Sequence, residues 1–573
     1  MANGQWLKAK NFMGFINFFK TSAPKPLLNE EQLQQKYHRS LAMQSFIAGT
    51  IGYSLYYVCR TSLNVMKDQI ISDKVMDEAA LGVLGMILLW SYAIGKLVNG
   101  FLADHSNIKR FMSIGLLVSA MANLIMGVIG LFGSNNEFTG QASIPSTVVF
   151  VMFAIMWGVN GWSQSMGAPP AIIALSRWYP LSKRGTYYGF FSASHNIGEW
   201  LSFIFVGLIV ATAGWQWGFF GSALAGIIGV IIILVMMHDT PESKGLPSIE
   251  KLTGDKAENK AGESPKEIQK QVLKNPAVWV LALASAFMYV SRYSLNSWGI
   301  LFLQKEKGFD LADATFIISI NALLGIVGTV LAGWMSDVLF KGDRRVPAFA
   351  SGVLLSLSYA LFIWGGDAYW VNILAMVLFG IAIGVLIAFL GGLMAVDIVP
   401  RKATGAALGV VGMASYAAAG LQELVSGVLI KANKVTVTKE LAPETKEFYQ
   451  DIINTANNSI VEAGNQVAET TQHVEALKDK ALGLIQDGEV PQKTGEAILK
   501  WIGNVGDAGE KFVKDIDGVS DKVVEMAQEA LEKGKVVIET YDFNQPAMFW
   551  VGASVISFLL PMLLWRKKKV NEE

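Results

Sequence analysis

Two arginines lie inside long apolar stretches, each within the same short phrase. Residues 57–64 read Tyr-Val-Cys-Arg-Thr-Ser-Leu-Asn, and residues 289–296 read Tyr-Val-Ser-Arg-Tyr-Ser-Leu-Asn. An ionisable side chain within a membrane-spanning stretch is unfavourable and usually marks a functional site. The guanidinium groups of Arg60 and Arg292 carry a planar fork of donors that matches phosphate or carboxylate oxygens. We therefore predict that the two arginines bind an anion.

Polar side chains stand beside both arginines at helical spacing. Residues three, four or seven positions apart share one face of a helix, so tyrosines surround each guanidinium. With polar residues of another apolar stretch they form the predicted substrate-lining set, which consists of Tyr53, Tyr57, Asn160, Gln164, Tyr289, Tyr293 and Asn296. Asn160 and Gln164 are expected either to bind sugar hydroxyls or to hydrogen-bond between helices.

Lys96 and His195 occupy positions where the two copies of the repeat differ. The equivalent residues of the second copy are Thr329 and Ser415. A scaffold can be symmetric, whereas binding one particular substrate requires different residues in the two halves. Both residues are therefore candidates for the anion site. Lys96 could instead extend its ammonium group towards the nearby helix end. His195 could donate to phosphate and titrate near neutral pH, or it could bond between helices.

Two carboxylates also lie within apolar stretches. Glu199 stands one helical turn beyond His195, and Glu423 lies in the eleventh stretch. We treat both as charge-coupling candidates. They are expected to pair with Lys96 or an arginine when no substrate is bound, or to carry a proton.

The repeat that contains the arginines extends along the chain. Residues 100–104 read Gly-Phe-Leu-Ala-Asp and residues 333–337 read Gly-Trp-Met-Ser-Asp, with basic residues after each. A proline and two glycines within 180–189 recur at the same spacing within 400–409. Three pairs of landmarks in the same order predict two parallel halves. The gating ion pairs predicted at these helix ends involve Asp104, Arg110, Asp337 and Arg344.

Helices that cross a membrane must position these residues. The chain has 573 residues, of which 52% are hydrophobic and 16% charged, a composition typical of membrane proteins. Twelve apolar stretches are long enough to span a bilayer, which needs about 20 residues. They lie near 44–64, 81–103, 111–133, 147–167, 185–211, 215–237, 276–303, 312–336, 347–366, 369–396, 404–430 and 547–565. We predict an all-α membrane protein with twelve transmembrane helices in two pseudo-symmetric halves of six.

The lysines and arginines of the connections predict the orientation. One alternating set of connections, with both termini, holds 27 basic residues, whereas the other short loops hold only Lys67, Lys74, Lys305 and Lys307. Because cytoplasmic loops carry the excess of basic residues, both termini are predicted to be cytoplasmic. The predicted segments are a cytoplasmic N-terminus (1–43), a six-helix half (44–237), a cytoplasmic central loop (238–275), helices seven to eleven (276–430), an extracytoplasmic insertion (431–545) and the last helix with a basic tail (546–573).

The insertion at 431–545 has a different composition. It contains 13 lysines, no arginine and 21 acidic residues. Ile453, Ile460, Val467 and Val474 recur every seven residues, which indicates a helical hairpin or coiled coil. We predict a helical insertion outside the membrane, with a partner-binding or regulatory domain as the alternative. Its acidity argues against a role in attracting anionic substrates.

Other classes of chemistry lack their sequence signatures. The single cysteine, Cys59, excludes an internal disulfide and a cysteine-built metal site, and the five histidines lack zinc-ligand spacing. There is no phosphate-binding loop of the Walker type and no nucleophile elbow. We therefore predict no enzymatic activity, no cofactor, no metal and no nucleic-acid partner.

Several motifs occur in the same order as in a known family. They are Tyr-Tyr-Val-Cys-Arg at 56–60, Gly-Lys at 95–96, Gly-Trp-Ser-Gln-Ser-Met-Gly-Ala-Pro-Pro at 161–170, Lys-Arg-Gly at 183–185, Ser-His-Asn-Ile-Gly at 194–198 and Arg-Tyr at 292–293. With the twelve-helix plan they resemble the organophosphate:phosphate antiporters of the major facilitator superfamily. That family includes hexose-6-phosphate and glycerol-3-phosphate transporters and a related hexose-phosphate sensor. The resemblance covers 30–430 and 546–570 and leaves out the insertion.

The resemblance implies a major facilitator fold and exchange of a phosphorylated sugar for inorganic phosphate by alternating access. Hexose 6-phosphate is weakly favoured over glycerol 3-phosphate, because the predicted lining carries extra polar groups. Arg60 and Arg292 would bind the phosphoryl group, with assistance from His195 and Lys96. The implied setting is a bacterial inner membrane, in which we expect the chain to act as a monomer.

Two positions depart from the family pattern. Ser297 precedes Trp298 where relatives carry an acidic residue, and Glu199 replaces a glycine. The charge balance of the site is therefore expected to differ from that of the family. Two alternatives stay open: a membrane sensor that binds external hexose phosphate and signals to a kinase, and a proton-coupled carrier of another anion such as a carboxylate.

Overall fold

The computed structural model describes residues 18–133, 144–253, 265–341, 343–399, 403–461 and 517–563, with short pieces between 477 and 502. The chain divides into two compact units. One unit holds the described parts of 1–135, 141–431 and 544–573, and the other holds those of 432–543.

The first half of the larger unit is helical. A π-helical turn at Ser202–Val206 joins two of its helices. In chain order its helices are α1 (Glu31–Ser72), α2 (Glu78–Asp104), α3 (Ile108–Gly133), α4 (Ser146–Gln164), α5 (Ala168–Trp178), α6 (Leu181–Ser192), α7 (Ser194–Leu201), α8 (Gly207–Ala213) and α9 (Trp215–Met236).

The rest of the chain repeats this plan, and the elements of the smaller unit come between the last two helices of the larger unit in the sequence. Further π-helical turns occur at Met335–Leu339 and Phe389–Leu393, and a 3-10 turn at Glu242–Lys244. The elements are α10 (Ile249–Thr253), α11 (Pro265–Lys274), α12 (Pro276–Lys305), α13 (Leu311–Trp334), α14 (Arg345–Trp364), α15 (Tyr369–Ala388), α16 (Met394–Ile398), α17 (Thr404–Ala432), β1 (Lys434–Glu440), α18 (Pro443–Val461), α19 (Asp517–Lys533), β2 (Lys535–Tyr541) and α20 (Asn544–Leu559).

Within the described residues, eleven helical spans are long and apolar enough to cross a membrane. They correspond to the second to twelfth predicted stretches, which confirms a helical membrane protein. The predicted first stretch, 44–64, lies within α1, which is long enough but more polar than the others. Its polarity has a structural cause, because α1 packs against α5, α7 and α9 and also against α12 of the other half. Its polar groups therefore face protein rather than lipid.

Backbone-to-backbone packing holds α7 against α1. A Cβ atom at Gly198 would collide with the main-chain carbonyl oxygen of Ser54 and lie 2.5 Å from the Cβ atom of Tyr57. Only glycine permits this approach, which is the usual role of small residues between membrane helices. The contact fixes the position of the face of α7 that carries His195 and Glu199.

Replacing Gly198 by alanine is therefore expected to lower the free energy of unfolding by about 1–3 kcal/mol, because overpacking forces the backbones apart. Thermal unfolding of the purified protein in detergent measures this change. Gly189→Ala is the matched control, since a Cβ atom there meets nothing within 4 Å. Equal stability of the two variants would contradict the packing argument.

The smaller unit contains strands as well as helices. β1 and β2 pair antiparallel, with Lys434 opposite Tyr541. Phe448 of α18 and Val523 of α19 are buried in its core. The prediction of a purely helical insertion is therefore incomplete. The runs Lys-Val-Thr-Val-Thr-Lys-Glu and Lys-Val-Val-Ile-Glu-Thr-Tyr carry the β-branched residues that favour strands.

The seven-residue repeat predicted for the insertion lies partly outside the described residues. Ile453 is buried in α18, as a core position of that repeat requires. Val467 and Val474 lie outside the described residues. The helical hairpin therefore stays a prediction.

Candidate functional site

Aromatic rings enclose Arg60 in the second half of α1. The Cζ atom of Arg60 lies 4.4 Å from the ring centroid of Tyr92, 5.3 Å from that of Tyr57 and 5.4 Å from that of Tyr416. Its Nη2 atom donates a hydrogen bond of 2.7 Å to the hydroxyl of Tyr293. We call Tyr57, Tyr92, Tyr293 and Tyr416 the tyrosine cage. In the described part of the chain, no carboxylate lies within ion-pair distance of this buried guanidinium.

Lys96 shares two rings of the tyrosine cage with Arg60. Its Nζ atom lies 5.1 Å from the ring centroid of Tyr416 and 5.9 Å from that of Tyr92. The side chain is exposed, and no carboxylate among the described residues pairs with it. This position favours a role in the anion site over extension towards the helix end. That role stays a prediction.

The second predicted arginine carries its own counter-ion. The Nη2 atom of Arg292 lies 2.9 Å from the Oε2 atom of Glu199, and both side chains are buried. Glu199 on α7 thus pairs with an arginine, which is one of the two roles predicted for it. The Cζ atom of Arg292 is 5.8 Å from the ring centroid of Tyr293, the same residue that accepts a hydrogen bond from Arg60. Tyr293 therefore contacts both guanidiniums.

His195 and the remaining predicted tyrosines extend this cluster. The ring of His195 lies 5.8 Å from that of Tyr57. Tyr289 stacks on Tyr293 at 5.9 Å, and Tyr53 packs edge-on against Tyr57 at 5.4 Å. The structure therefore brings together the side chains that the sequence predicted from two distant copies of one phrase.

The charges of this cluster do not cancel. Arg60, Lys96 and Arg292 contribute three positive charges and Glu199 one negative charge, so two positive charges remain. Such charges interact strongly in a site of low dielectric constant. The arrangement can therefore hold a doubly charged anion whose oxygen atoms accept hydrogen bonds from the guanidiniums and phenols.

The predicted amide side chains fall into two groups. The Nδ2 atom of Asn160 donates to the carbonyl oxygen of Cys59 at 3.0 Å, and the Nε2 atom of Gln164 donates to that of Tyr56 at 2.9 Å. Both amides therefore hold α4 to α1, the interhelical role that the sequence left open. In contrast, the Oδ1 atom of Asn296 is buried and has no hydrogen-bond partner among the described residues.

A second buried ion pair lies two helical turns along α1 from Arg60. The Nζ atom of Lys67 is 3.3 Å from Glu423 Oε2 and 2.6 Å from Ser297 Oγ, and it lies 3.4 Å from the ring centroid of Trp298. The placement of Lys67 in a short loop is wrong, because α1 continues to Ser72 and Lys67 is 1% exposed. Glu423 accordingly pairs with Lys67, not with Lys96 or an arginine.

Contacts between the halves close one side of the molecule. Ion pairs join Lys305 to Asp68 at 2.8 Å and Lys431 to Asp77 at 2.7 Å. On the same side a Cβ atom at Gly82 of α2 would lie 2.6 Å from the carbonyl oxygen of Glu423 in α17. We call this end, which carries loops 73–77 and 306–310, the sealed side.

At the opposite end, which carries the basic connections, three glycines of the described residues have no close neighbour. Cβ atoms at Gly185, Gly189 and Gly409 would meet nothing within 4 Å. The exposed side chain of Lys96 lies between this end and the tyrosine cage. Among the cluster residues, Lys96 is thus the one that reaches towards the basic side, which the predicted topology makes cytoplasmic.

The predicted gating residues take other partners than those expected. Arg344 pairs with Asp397 at 2.6 Å, and the side chain of Asp337 lies outside the described residues. Arg110 donates to the carbonyl oxygen of Phe18 at 2.7 Å instead of forming an ion pair with Asp104. The cause is geometric, since the N-terminal segment lies against the start of α3 and occupies Arg110.

Another ion pair on this side was not predicted. Arg177 at the end of α5 bonds to Asp239 beyond α9 at 2.6 Å. The carboxylate of Asp239 also accepts from the main-chain nitrogen atoms of Ser22 and Ile108.

Sequence reasoning also missed Tyr92 and Tyr416, although Tyr92 stands one helical turn before Lys96.

Comparison with protein families identifies the class of fold. The model described as Major Facilitator Superfamily matches residues 12–422. A solved bacterial homolog of the human lysosomal transporter Spinster, in an inward-facing and unoccupied conformation, has a TM-score of 0.57 and 17% identity. The match covers 91% of this chain and 97% of that one. At this identity the likeness concerns the fold alone.

Comparison with curated proteins gives relatives with more specific names. The chain is 32% identical to the "Probable hexose phosphate transport protein" of Chlamydia trachomatis, over 68% of this chain and 85% of that protein. It is 31% identical to the "Glycerol-3-phosphate transporter" of Bacillus subtilis, over 70% and 88% respectively. It is 30% identical to the "Membrane sensor protein UhpC" of Escherichia coli, over 71% and 90%.

Proposed function

Because this chain belongs to the major facilitator superfamily, we propose that it is a secondary transporter that exchanges a phosphorylated sugar for inorganic phosphate. The observation that carries the proposal is the buried guanidinium of Arg60, which the tyrosine cage surrounds and which pairs with no carboxylate of the described residues. The names of the relatives from Chlamydia trachomatis and Bacillus subtilis support an organic phosphate as substrate.

The phosphoryl group would occupy the space next to the tyrosine cage. The fork of Arg60 donates to two phosphate oxygens, and the exposed ammonium of Lys96 contributes a second positive charge. Arg292 joins them when the phosphate replaces Glu199 as its partner. A dianionic phosphate matches the two positive charges that remain in the empty cluster.

The same charges explain why the transporter would exchange one anion for another rather than release its substrate and return unloaded. An empty cluster with uncompensated positive charge passes unfavourably through an occluded state of low dielectric constant. A bound phosphate neutralises this charge, so loaded carriers reorient more readily. The sealed side must then open while the basic side closes, as in the rocking of two halves about a central site. Substrate drives this change only if it binds the occluded state more tightly.

Glu199→Gln is expected to tighten phosphate binding by about tenfold and to slow exchange, because phosphate no longer competes with a carboxylate for Arg292. Purified protein in nanodiscs provides the dissociation constant, and proteoliposomes provide the exchange rate. Glu529→Gln is the control, because this glutamate is exposed on α19. Glu78→Gln is less suitable, because Glu78 lies at the sealed side. Weaker phosphate binding by Glu199→Gln would contradict the competition.

Exchange in proteoliposomes tests the proposed function itself. Vesicles loaded with phosphate are expected to take up labelled phosphate, and glucose 6-phosphate should compete more strongly than glycerol 3-phosphate. Unphosphorylated glucose should not compete. Uptake that requires a proton gradient and ignores internal phosphate would instead indicate a proton-coupled carrier of another anion.

The name of the relative from Escherichia coli keeps a sensor as the second candidate. A sensor would bind glucose 6-phosphate with no exchange, and the acidic insertion at 431–545 would offer a surface for a partner protein. We further propose that the chain acts as a monomer in a bacterial inner membrane with both termini in the cytoplasm. Labelling of single cysteines from each side of the membrane tests that orientation.

A further inference from the structure

We propose that Ser202 and Asn296 form a hydroxyl-binding subsite for the sugar part of the substrate, one helical turn beyond the Arg292–Glu199 pair. The inference rests on the proposed function, since it assigns a role to the sugar of a sugar phosphate. It also predicts the orientation of the bound substrate, whose sugar would extend from the arginines towards the sealed side.

Helical geometry places the two residues at the same height. His195, Glu199 and Ser202 follow one another at intervals of four and three and share one face of α7 and the turn after it. Arg292 and Asn296 are four residues apart on one face of α12. The ion pair of 2.9 Å between Glu199 and Arg292 connects these two faces. Both helices run from the basic side to the sealed side, so Ser202 and Asn296 each lie one turn, about 5.4 Å, beyond the pair.

Both residues bury a polar atom that lacks a partner. Ser202 Oγ and Asn296 Oδ1 are inaccessible, and neither forms a hydrogen bond within the described part of the chain. Their residues are 0% and 3% exposed. An unsatisfied buried polar atom costs about 1–3 kcal/mol, so a ligand that supplies hydrogen-bonding groups at this height would be stabilised by either atom. The amides of Asn160 and Gln164, by comparison, bond to main-chain carbonyls of α1 and to Ser119 of α3.

The local backbone supports a binding role for Ser202. A serine within a regular helix usually bonds to the carbonyl oxygen one turn earlier. Ser202 instead begins the π-helical turn Ser202–Val206, and its hydroxyl is left without a partner among the described residues. Single π-helical turns inside α-helices are frequent at functional sites.

The donor and acceptor chemistry identifies the ligand group. Asn296 Oδ1 can only accept a hydrogen bond, whereas the Ser202 hydroxyl can donate and accept. The hydroxyl groups of a sugar can satisfy both atoms, one by donating to Asn296 Oδ1 and another by accepting from the Ser202 hydroxyl. Inorganic phosphate held by the arginines would not reach one turn further. The subsite would therefore distinguish a sugar phosphate from the phosphate for which it is exchanged.

Direct binding measurements on purified full-length protein in nanodiscs test the inference. Dissociation constants for glucose 6-phosphate and for inorganic phosphate are determined for the wild type, Ser202→Ala and Asn296→Ala. Ser294→Ala is the matched control, because this buried serine of α12 bonds to Tyr359 within its own half. If Asn296→Ala does not fold, Asn296→Leu keeps the volume and removes the acceptor, and Ser202→Ala carries the test by itself.

We expect each subsite variant to weaken binding of glucose 6-phosphate about tenfold and to change phosphate binding less than about twofold, as the loss of one buried hydrogen bond predicts. The control should change neither constant. Unchanged binding of both ligands would show that only water fills the subsite, and equal weakening of both would place these residues in the phosphate site. Either result overturns the inference.

Exchange by the wild type separates this inference from the proposed function. Binding of glucose 6-phosphate with no exchange would defeat the proposed exchange, while the ratio of the two dissociation constants would still decide the subsite. A wild type that binds phosphate but no sugar phosphate would overturn both.

Discussion

Arg60→Lys is expected to reduce phosphate exchange about a hundredfold. The guanidinium of Arg60 lies over Tyr92 and donates to Tyr293, and its fork can bind two phosphate oxygens at once. Lysine keeps the positive charge but offers one compact ammonium group that neither stacks nor binds in a bidentate manner. Loss of a charge-assisted pair of hydrogen bonds amounts to about 3 kcal/mol, which corresponds to this factor.

Initial rates of labelled phosphate exchange in proteoliposomes measure the effect. Arg345→Lys is the matched control, because Arg345 is half-buried outside the cluster and pairs with Asp343 two residues earlier. We expect this control to retain at least about half of the wild-type rate, since partly exposed ion pairs contribute at most about 1 kcal/mol. A similar rate in both variants would mean that the charge at position 60 suffices and that the tyrosine cage has another role.

Lys67→Met is expected to lower the free energy of unfolding by about 3 kcal/mol, and addition of Glu423→Gln should restore most of it. The single change leaves a buried carboxylate without its ion partner, and such a change typically costs 3–5 kcal/mol. The double change removes both charges, so no uncompensated charge remains. Thermal unfolding of the four forms gives the coupling between the two sites.

The same variants should differ in the closure of the sealed side. A carboxylate at position 423 that has lost Lys67 is hydrated when α1 separates from α17, so the single variant should favour opening on that side. A reporter cysteine at Asn64 in a Cys59→Ala background would then react faster with a membrane-impermeant thiol reagent. The double variant should label as slowly as the reporter protein with the native pair. Additive losses of stability with unchanged labelling would show that the pair does not hold this side closed.

The sequence contained enough information to predict that the two arginines lie in one cluster. Arg60 and Arg292 recur in equivalent phrases, and an internal repeat places equivalent positions about one axis. The structure brings both arginines together with Lys96 and His195. The sequence pattern was sufficient here, because the repeat itself relates the two arginines and no contact between distant residues had to be inferred.

Contacts between distant parts of the chain could not be predicted from the sequence in this way. Lys67 looked like a loop residue because charged side chains follow an apolar stretch, but its partner Glu423 is 356 residues away. Tyr92 and Tyr416 come from different halves, and neither lies in a repeated phrase. No spacing within one helix reveals that such side chains meet. The partners of Arg110 and Arg344 were missed for the same reason.

The sealed side combines a few charged pairs with contacts of bare backbone. Gly82 of α2 lies against the carbonyl of Glu423, and Gly427 of α17 lies against that of Glu78. Backbone surfaces of this kind can part and meet again without any side chain changing its rotamer. In the proposed exchange, the activation barrier for opening this side would then be dominated by the rehydration of ions instead of by repacking. Small changes in a few charges would therefore tune the rate of the proposed exchange, while the fold of each half stays the same.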